Sequence, residues 1–207
     1  MNPHAFVAMP FGKKPGQDGT IFDFNAIYET LLKPAIEAAG LDVFRADEEQ
    51  AAGDIKTDMF QELLIADLVV VDLTVDNPNV WYELGVRHAL RARGIVLVQG
   101  PRANQPFDIY TDRKYRYSIK DGLPDPVTLP CDKDKITQMV KATLESWHGR
   151  KISPVFHLLE NLEEPEWKRL RVGEAKEFWE THDDWANRIE RARKAQKVGD
   201  ILVLAEE

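Results

Sequence analysis

The sequence predicts an α/β fold, a doubly wound and mostly parallel sheet of five strands, and three observations predict it. Short apolar runs at 5–9, 68–71 and 95–99, the second of them mostly β-branched, read as strands buried on both faces. These runs alternate with amphipathic helical stretches, the order that builds a parallel sheet through crossovers. Composition changes after Gly149, and over 164–196 the chain is strongly charged, which marks a change of organisation.

In order, the first strand at 5–9 runs into residues 10–19, a loop rich in Gly, Pro and Lys. A helix over 22–39 buries Phe24, Ile27, Tyr28, Leu31, Ala35 and Ala38. Pro34 kinks or restarts it, and Gly40 stops it. The second strand is 41–46, and a second helix over 54–66 turns Ile55, Met59, Phe60 and Leu63 inward. The third strand ends near Asp72. Residues 74–77 are polar turn formers, Asn77 suits the cap position and Pro78 the first helical position. Apolar residues then recur at helical spacing from Val80 through Leu84 to Leu90. A fourth strand covers 95–99, closed by Gly100 and Pro101, and a fifth covers 115–119. A helix over 132–147 carries Ile136, Met139, Val140 and Leu144. Residues 1–150 thus form a Rossmann- or flavodoxin-like α/β domain, and 151–207 a helical extension with Phe178, Trp185, Ile189 and Ala192 on one stripe.

Composition narrows the function classes. With 207 residues the chain can bury a full core, and its formal net charge of −8 argues against a nucleic-acid backbone as partner. A small anionic ligand remains compatible, since local basic groups outweigh global charge at short range. The single cysteine, Cys131, allows no intramolecular disulfide and fits a reducing compartment. No apolar run approaches the ~20 residues of a membrane span, and no signal pattern opens the chain. A soluble, cytoplasmic protein that does not engage membranes is the expectation.

In an open parallel sheet, ligands bind outside the carboxyl ends of the strands, where residues 72–79, including Asn77 and Asn79, are expected. Glu83 follows in the early turns of the next helix. A carboxylate held on a scaffolded helix can attack an anomeric carbon. The competing reading is a surface Glu paired with Arg87 four residues on. Met9, Pro10, Phe11, Gly12 and Lys13 follow the first strand; glycine lets backbone N–H groups approach a phosphate and lysine adds charge, although the pattern is neither a Walker loop nor G-x-G-x-x-G. Arg45 and Asp47 flank the end of the second strand, where doubly wound folds place an acid that reads ribose hydroxyls; an ion pair is the alternative.

The motifs A-D-L-V-V-V-D-L-T and Y-E-L-G, joined by a short polar loop, resemble the nucleoside 2-deoxyribosyltransferase superfamily. Over residues 4–160 the set F-V-A-M-P-F-G-K-K, K-P-A-I-E-A-A-G-L, F-R-A-D-E and N-P-N-V-W-Y-E-L-G-V-R-H-A-L is similar to the deoxyribohydrolase-like module of the TRAFs-binding domain family. That module occurs in bacterial tetratricopeptide-repeat proteins and apoptosis-signal-regulating kinases. The resemblance implies Glu83 as nucleophile and the turn after the first strand as the holder of a 5'-phosphate. It implies Asp58, after a one-residue offset, as general acid or sugar ligand, with Asp72 completing a carboxylate cluster. Phe6 departs from the pattern, standing where those enzymes carry a tyrosine.

Three functions follow as expectations. The first is cleavage of a nucleotide N-glycosidic bond, of the 2'-deoxynucleoside 5'-phosphate N-hydrolase or deoxyribosyltransferase type, which needs no cofactor or metal. The second is an NAD glycohydrolase, with Asp47 reading the ribose. The third is a non-catalytic nucleotide-sensing or scaffold module in a signalling or defence assembly. The implied partners are a small-molecule nucleotide, further copies of the chain in a homo-oligomer, and a helical-repeat or signalling protein.

Overall fold

The computed structural model describes residues 3–45, 55–104, 113–145, 152–159 and 161–164. Strand β1 (His4–Ala8) leads through a hairpin of β2 (Lys13–Pro15) and β3 (Ile21–Asp23) into helix α1 (Phe24–Ile27). A π-helical turn (Tyr28–Leu32) joins α1 to α2 (Lys33–Glu37). Then β4 (Asp42–Arg45), α3 (Ile55–Ile65), β5 (Leu68–Asp72), α4 (Pro78–Leu90) and β6 (Ile95–Gln99) alternate. Strand β7 (Lys114–Arg116), a small hairpin of β8 (Ile119–Lys120) and β9 (Leu123–Pro124), α5 (Leu129–Glu145) and α6 (Pro154–Leu158) complete the described elements.

The main sheet has five strands in the order β4-β1-β5-β6-β7, every neighbouring pair parallel. Strand β1 sits between β4 and β5, so the connections reverse direction between β1 and β5, and the chain forms a doubly wound α/β fold. Strands β5 and β6 are buried at every position, as their continuous apolar runs require. On one face Ala5, Val7, Val70 and Val98 pack under Phe24, Ile27, Tyr28, Leu31, Ile136 and Val140. On the other, Phe6, Ala8, Val69, Val71 and Leu97 pack under Leu63, Val80 and Leu84. Helix α4 therefore belongs to the second face.

The structure departs from the sequence expectations in three places. Residues 10–19 do not form an open loop; most of the stretch is folded into the β2–β3 hairpin. The first helix buries Ile36 and exposes Ala38, because the π-helical turn shifts the phase of its second half. In that turn the Lys33 N–H reaches the Tyr28 carbonyl, a wider loop than an α-helix makes, directly before Pro34. The fifth strand ends at Arg116, and Tyr117 turns into the core instead.

Residues 152–158 pack on α4: the Ile152 and Ser153 N–H groups donate to the Ala92 carbonyl, and the Ser153 hydroxyl donates to that of His88. The apolar stripe expected at 178–192 lies outside the described residues. Among the described residues no helix is long and apolar enough to cross a membrane.

Candidate functional site

Asn77 and Pro78 start α4 as their chemistry predicts. The Asn77 side-chain oxygen accepts from the N–H groups of Asn79 at 3.0 Å and Val80 at 3.4 Å, and Pro78 occupies the first turn. Asn77 is thus a cap, and its acceptor is already engaged; Asn79 is exposed beside it. Starting the helix here puts Val80, Glu83, Leu84 and Arg87 on the buried face. Glu83 lies about a turn and a half into α4, the helix that follows β5 and packs on β1 and β5.

Glu83 is 8 % exposed, and among the described residues no hydrogen bond or ion pair reaches its carboxylate. Burial alone raises its pKa from 4.5 to about 7. Its i+4 neighbour does not compensate it. Arg87 is fully buried and aims its guanidinium at main-chain carbonyls: Leu63 at 2.8 Å, Ala66 at 3.0 Å, Gly94 at 3.1 Å and Arg93 at 3.3 Å. Arg91 adds a bond to the Leu64 carbonyl at 2.5 Å. Arg87 of α4 and Arg91 just after it therefore cap the C-terminus of α3, whose last carbonyls lack helical partners. Burial, then the charge of Arg91, lowers the Arg87 pKa to about 9, which leaves it charged at neutral pH.

Asp72 does not join Glu83. It shares a sheet face with Val70 and Tyr117, opposite the face that α4 covers. Its oxygens accept from the Thr74 N–H at 2.9 Å, the Thr74 hydroxyl at 2.5 Å and the Tyr117 hydroxyl at 2.6 Å. Thr74 Oγ1 also accepts from the Gly100 N–H at 2.7 Å and lies 2.8 Å from the Tyr117 hydroxyl. Burial raises the Asp72 pKa against the pull of those bonds, and Tyr117 is raised well above its usual value by burial and then by Asp72. This network ties the ends of β5 and β6 to the segment after β7. Asp72 is a brace in it rather than an open carboxylate.

At the end of β1, Met9 and Pro10 are buried, while Phe11 is 44 % exposed. Gly12 has φ +65, a conformation that favours glycine, and its N–H donates to the Asn25 side-chain oxygen at 3.1 Å. That N–H is spent on holding the turn. Lys13 is exposed and lies 3.9 Å from Asp23. Asn25 also accepts from Arg45 at 3.3 Å, and the Arg45 guanidinium stacks 4.2 Å from the Tyr28 ring centroid and 5.4 Å from that of Phe11. Asp47 lies outside the described residues. Asp58 belongs to α3, beside α4 where Phe60 meets Tyr82 edge-on at 5.8 Å, but its side chain lies outside them too. Phe6 is buried against Phe44 on the Glu83 face of the sheet.

Sequence reasoning missed Arg102 and Tyr117, and it offered Arg87 only as a surface partner of Glu83. Arg102 has its side chain 2 % exposed and donates to the Leu73 carbonyl at 2.8 Å and to Asp76 at 2.6 Å. The bonds of Arg87, Arg102 and Tyr117 to Leu63, Leu73 and Asp72 span 24, 29 and 45 residues of sequence respectively, so no local spacing signals them. Among the described residues no group of His, Cys, Asp and Glu is placed to hold a metal. The chain matches no protein-family model and no curated protein in sequence.

Proposed function

We propose that the chain cleaves the N-glycosidic bond of a small nucleotide, with Glu83 as nucleophile, in the manner of the deoxyribosyltransferase-like enzymes its motifs resemble. The observation that carries this is the buried Glu83 carboxylate, uncompensated by Arg87 and held on the helix that follows β5. Cleavage builds positive charge at the anomeric carbon, and a carboxylate without a counter-ion in a water-poor site stabilises that charge strongly. An oxygen of ionised Glu83 bonds to the anomeric carbon as the bond to the base nitrogen breaks. A proton delivered to the base neutralises the leaving group. Water then attacks the glycosyl ester and restores the carboxylate.

Asp72 is braced on the other face, so the proton donor in this reading is Asp58 on α3. Met9, Pro10, Phe11 and Lys13 border the phosphate end of the ligand. The reading calls for no metal or cofactor, and places a soluble protein in the cytoplasm, assembled as a homo-oligomer.

A second reading, a nucleotide sensor or scaffold without turnover, draws support from Phe6, which has no hydroxyl to offer a sugar, and from the engaged Asp72. A chromatographic assay separates the two. Wild-type protein and Glu83→Gln are incubated with deoxynucleoside monophosphates, ribonucleotides and NAD. Release of free base by wild type alone supports the enzyme and names its substrate, NAD included. No release, with equal ligand-induced thermal stabilisation of both proteins, removes it in favour of the sensor.

A further inference from the structure

The last turn of α3 and the residues just after it are gripped from two sides. From one side Arg87 donates to the Leu63 and Ala66 carbonyls at 2.8 and 3.0 Å, and Arg91 to that of Leu64 at 2.5 Å. From the other side, the first residue of β1 holds the same turn with an imidazole. His4 Nε2 lies 2.8 Å from the Glu62 carboxylate and Nδ1 lies 3.8 Å from that of Asp67. The main chain joins in: the His4 N–H donates to the Asp67 carboxylate at 3.0 Å, and the Asp67 N–H donates to the His4 carbonyl at 3.1 Å. An arginine keeps its charge at neutral pH, whereas an imidazole changes its charge there.

Each ring nitrogen of His4 thus faces a carboxylate. Only the imidazolium carries a proton on both nitrogens, so it alone serves both carboxylates at once. The hydrogen bond to Glu62 raises the His4 pKa above 6.5, burial opposes that rise, and the charges of Glu62, Asp67 and Asp42 on β4 add to it. Arg87 and Arg91 lie close enough to Asp67 to feel its charge, so Asp67 has cations on both sides. Glu62 does not. Among the described residues its ion pair is with His4.

We propose that His4 is a proton-operated clasp between β1 and the last turn of α3. Protonated, it fastens Glu62 and Asp67 to the start of an interior strand; on losing its proton to solvent, it lets the Glu62 side go. Because the folded titration lies above the unfolded one, the fastening is complete below pH 6.5 and is lost as pH rises through the raised midpoint. Arg87 and Arg91 keep their hold on the carbonyls, so release loosens one side of the turn and leaves α3 folded. The clasp is independent of any chemistry at Glu83.

Hydrogen exchange in the full chain tests it. The Ala66 N–H donates to the Glu62 carbonyl at 3.0 Å and reports on the turn directly. Its protection, corrected for the intrinsic exchange rate, is followed between about pH 5.5 and 8 in wild type and in His4→Gln, which keeps a donor but does not titrate. Wild type is expected to lose about two- to fivefold more protection than His4→Gln across that range, the scale of a part-exposed ion pair. Glu83 titrates in both chains, so its contribution cancels in the comparison. The ring titration gives a second measurement by NMR, the His4 signal being the one absent from His4→Gln. Glu62→Gln is expected to move that midpoint back toward 6.5. Equal protection profiles in wild type and His4→Gln overturn the clasp, as does a ring midpoint that Glu62→Gln leaves in place.

Discussion

Arg87 stands one helical turn after Glu83, yet its guanidinium points away, into the carbonyls that end α3. The spacing that forms a surface ion pair on an isolated helix here separates the two charges. One result is a well-anchored helix pair; the other is a carboxylate left in a poorly solvated place without a counter-ion.

The pH dependence of stability should report that carboxylate. Its folded pKa of about 7 lies above the unfolded value of 4.5, so the native state holds the proton more tightly. The associated stability is present below pH 4.5 and is lost as pH rises to 7, by on the order of 3 kcal/mol. Glu83→Gln should lack this loss. Urea melts of both proteins from pH 4 to 8 should therefore diverge, with the variant more stable at the alkaline end.

Removing Arg87 should be costly for folding. Arg87→Ala takes a donor from four main-chain carbonyls, of which Gly94 keeps the Val69 N–H, and a loss on the order of 3–5 kcal/mol is expected. Arg87→Lys, a point charge in place of a planar fork, should recover part of it. Denaturant midpoints would show the ranking, and an alanine variant as stable as wild type would contradict the capping role.

Tyr117→Phe keeps the ring and removes the hydroxyl that braces Asp72 and meets Thr74. A loss of about 1–3 kcal/mol is expected, since a buried carboxylate then lacks a donor. The loop that leads into α4 is held by the same network, so hydrogen exchange at the Thr74 N–H should accelerate with it.

Gly85 lies on the exposed side of α4, and a Cβ added there meets nothing within 4 Å. Gly85→Ala should therefore stabilise the chain by about 0.5–1 kcal/mol, the helix-interior penalty of glycine. A thermal melt shifted downward would mean that the helix face is not open in solution.

Strand β7, Lys-Tyr-Arg, carries no apolar run and was placed with the wrong bounds, whereas the central strands β1, β5 and β6 were legible because each is a short apolar run whose burial depends on its own residues. The start of α4 was legible for the same reason: Asn77 and Pro78 act on the next two or three residues. Glu83 stood out by its place in that helix, but its isolation did not, since it depends on where Arg87 points. Arg87, Arg102 and Tyr117 find their partners through tertiary contact, which leaves no periodic trace. Asp72 shows the converse. Its position at a strand end suggested an open site, and alternation along β5 sent the side chain to the other face.

The first helix carries one more consequence. Its buried residues Phe24, Tyr28, Leu32 and Ile36 repeat every four positions, whereas an α-helix repeats every 3.6 and drifts about 40° per step. The wide turn at Tyr28–Leu32 takes up that drift and clears the carbonyl that the Pro34 ring would strike. The proline and the extra residue therefore form one structural unit. Deleting a single residue between 29 and 32 should be tolerated far better alongside Pro34→Ala than alone, so lineages of this chain are expected to keep both or lose both.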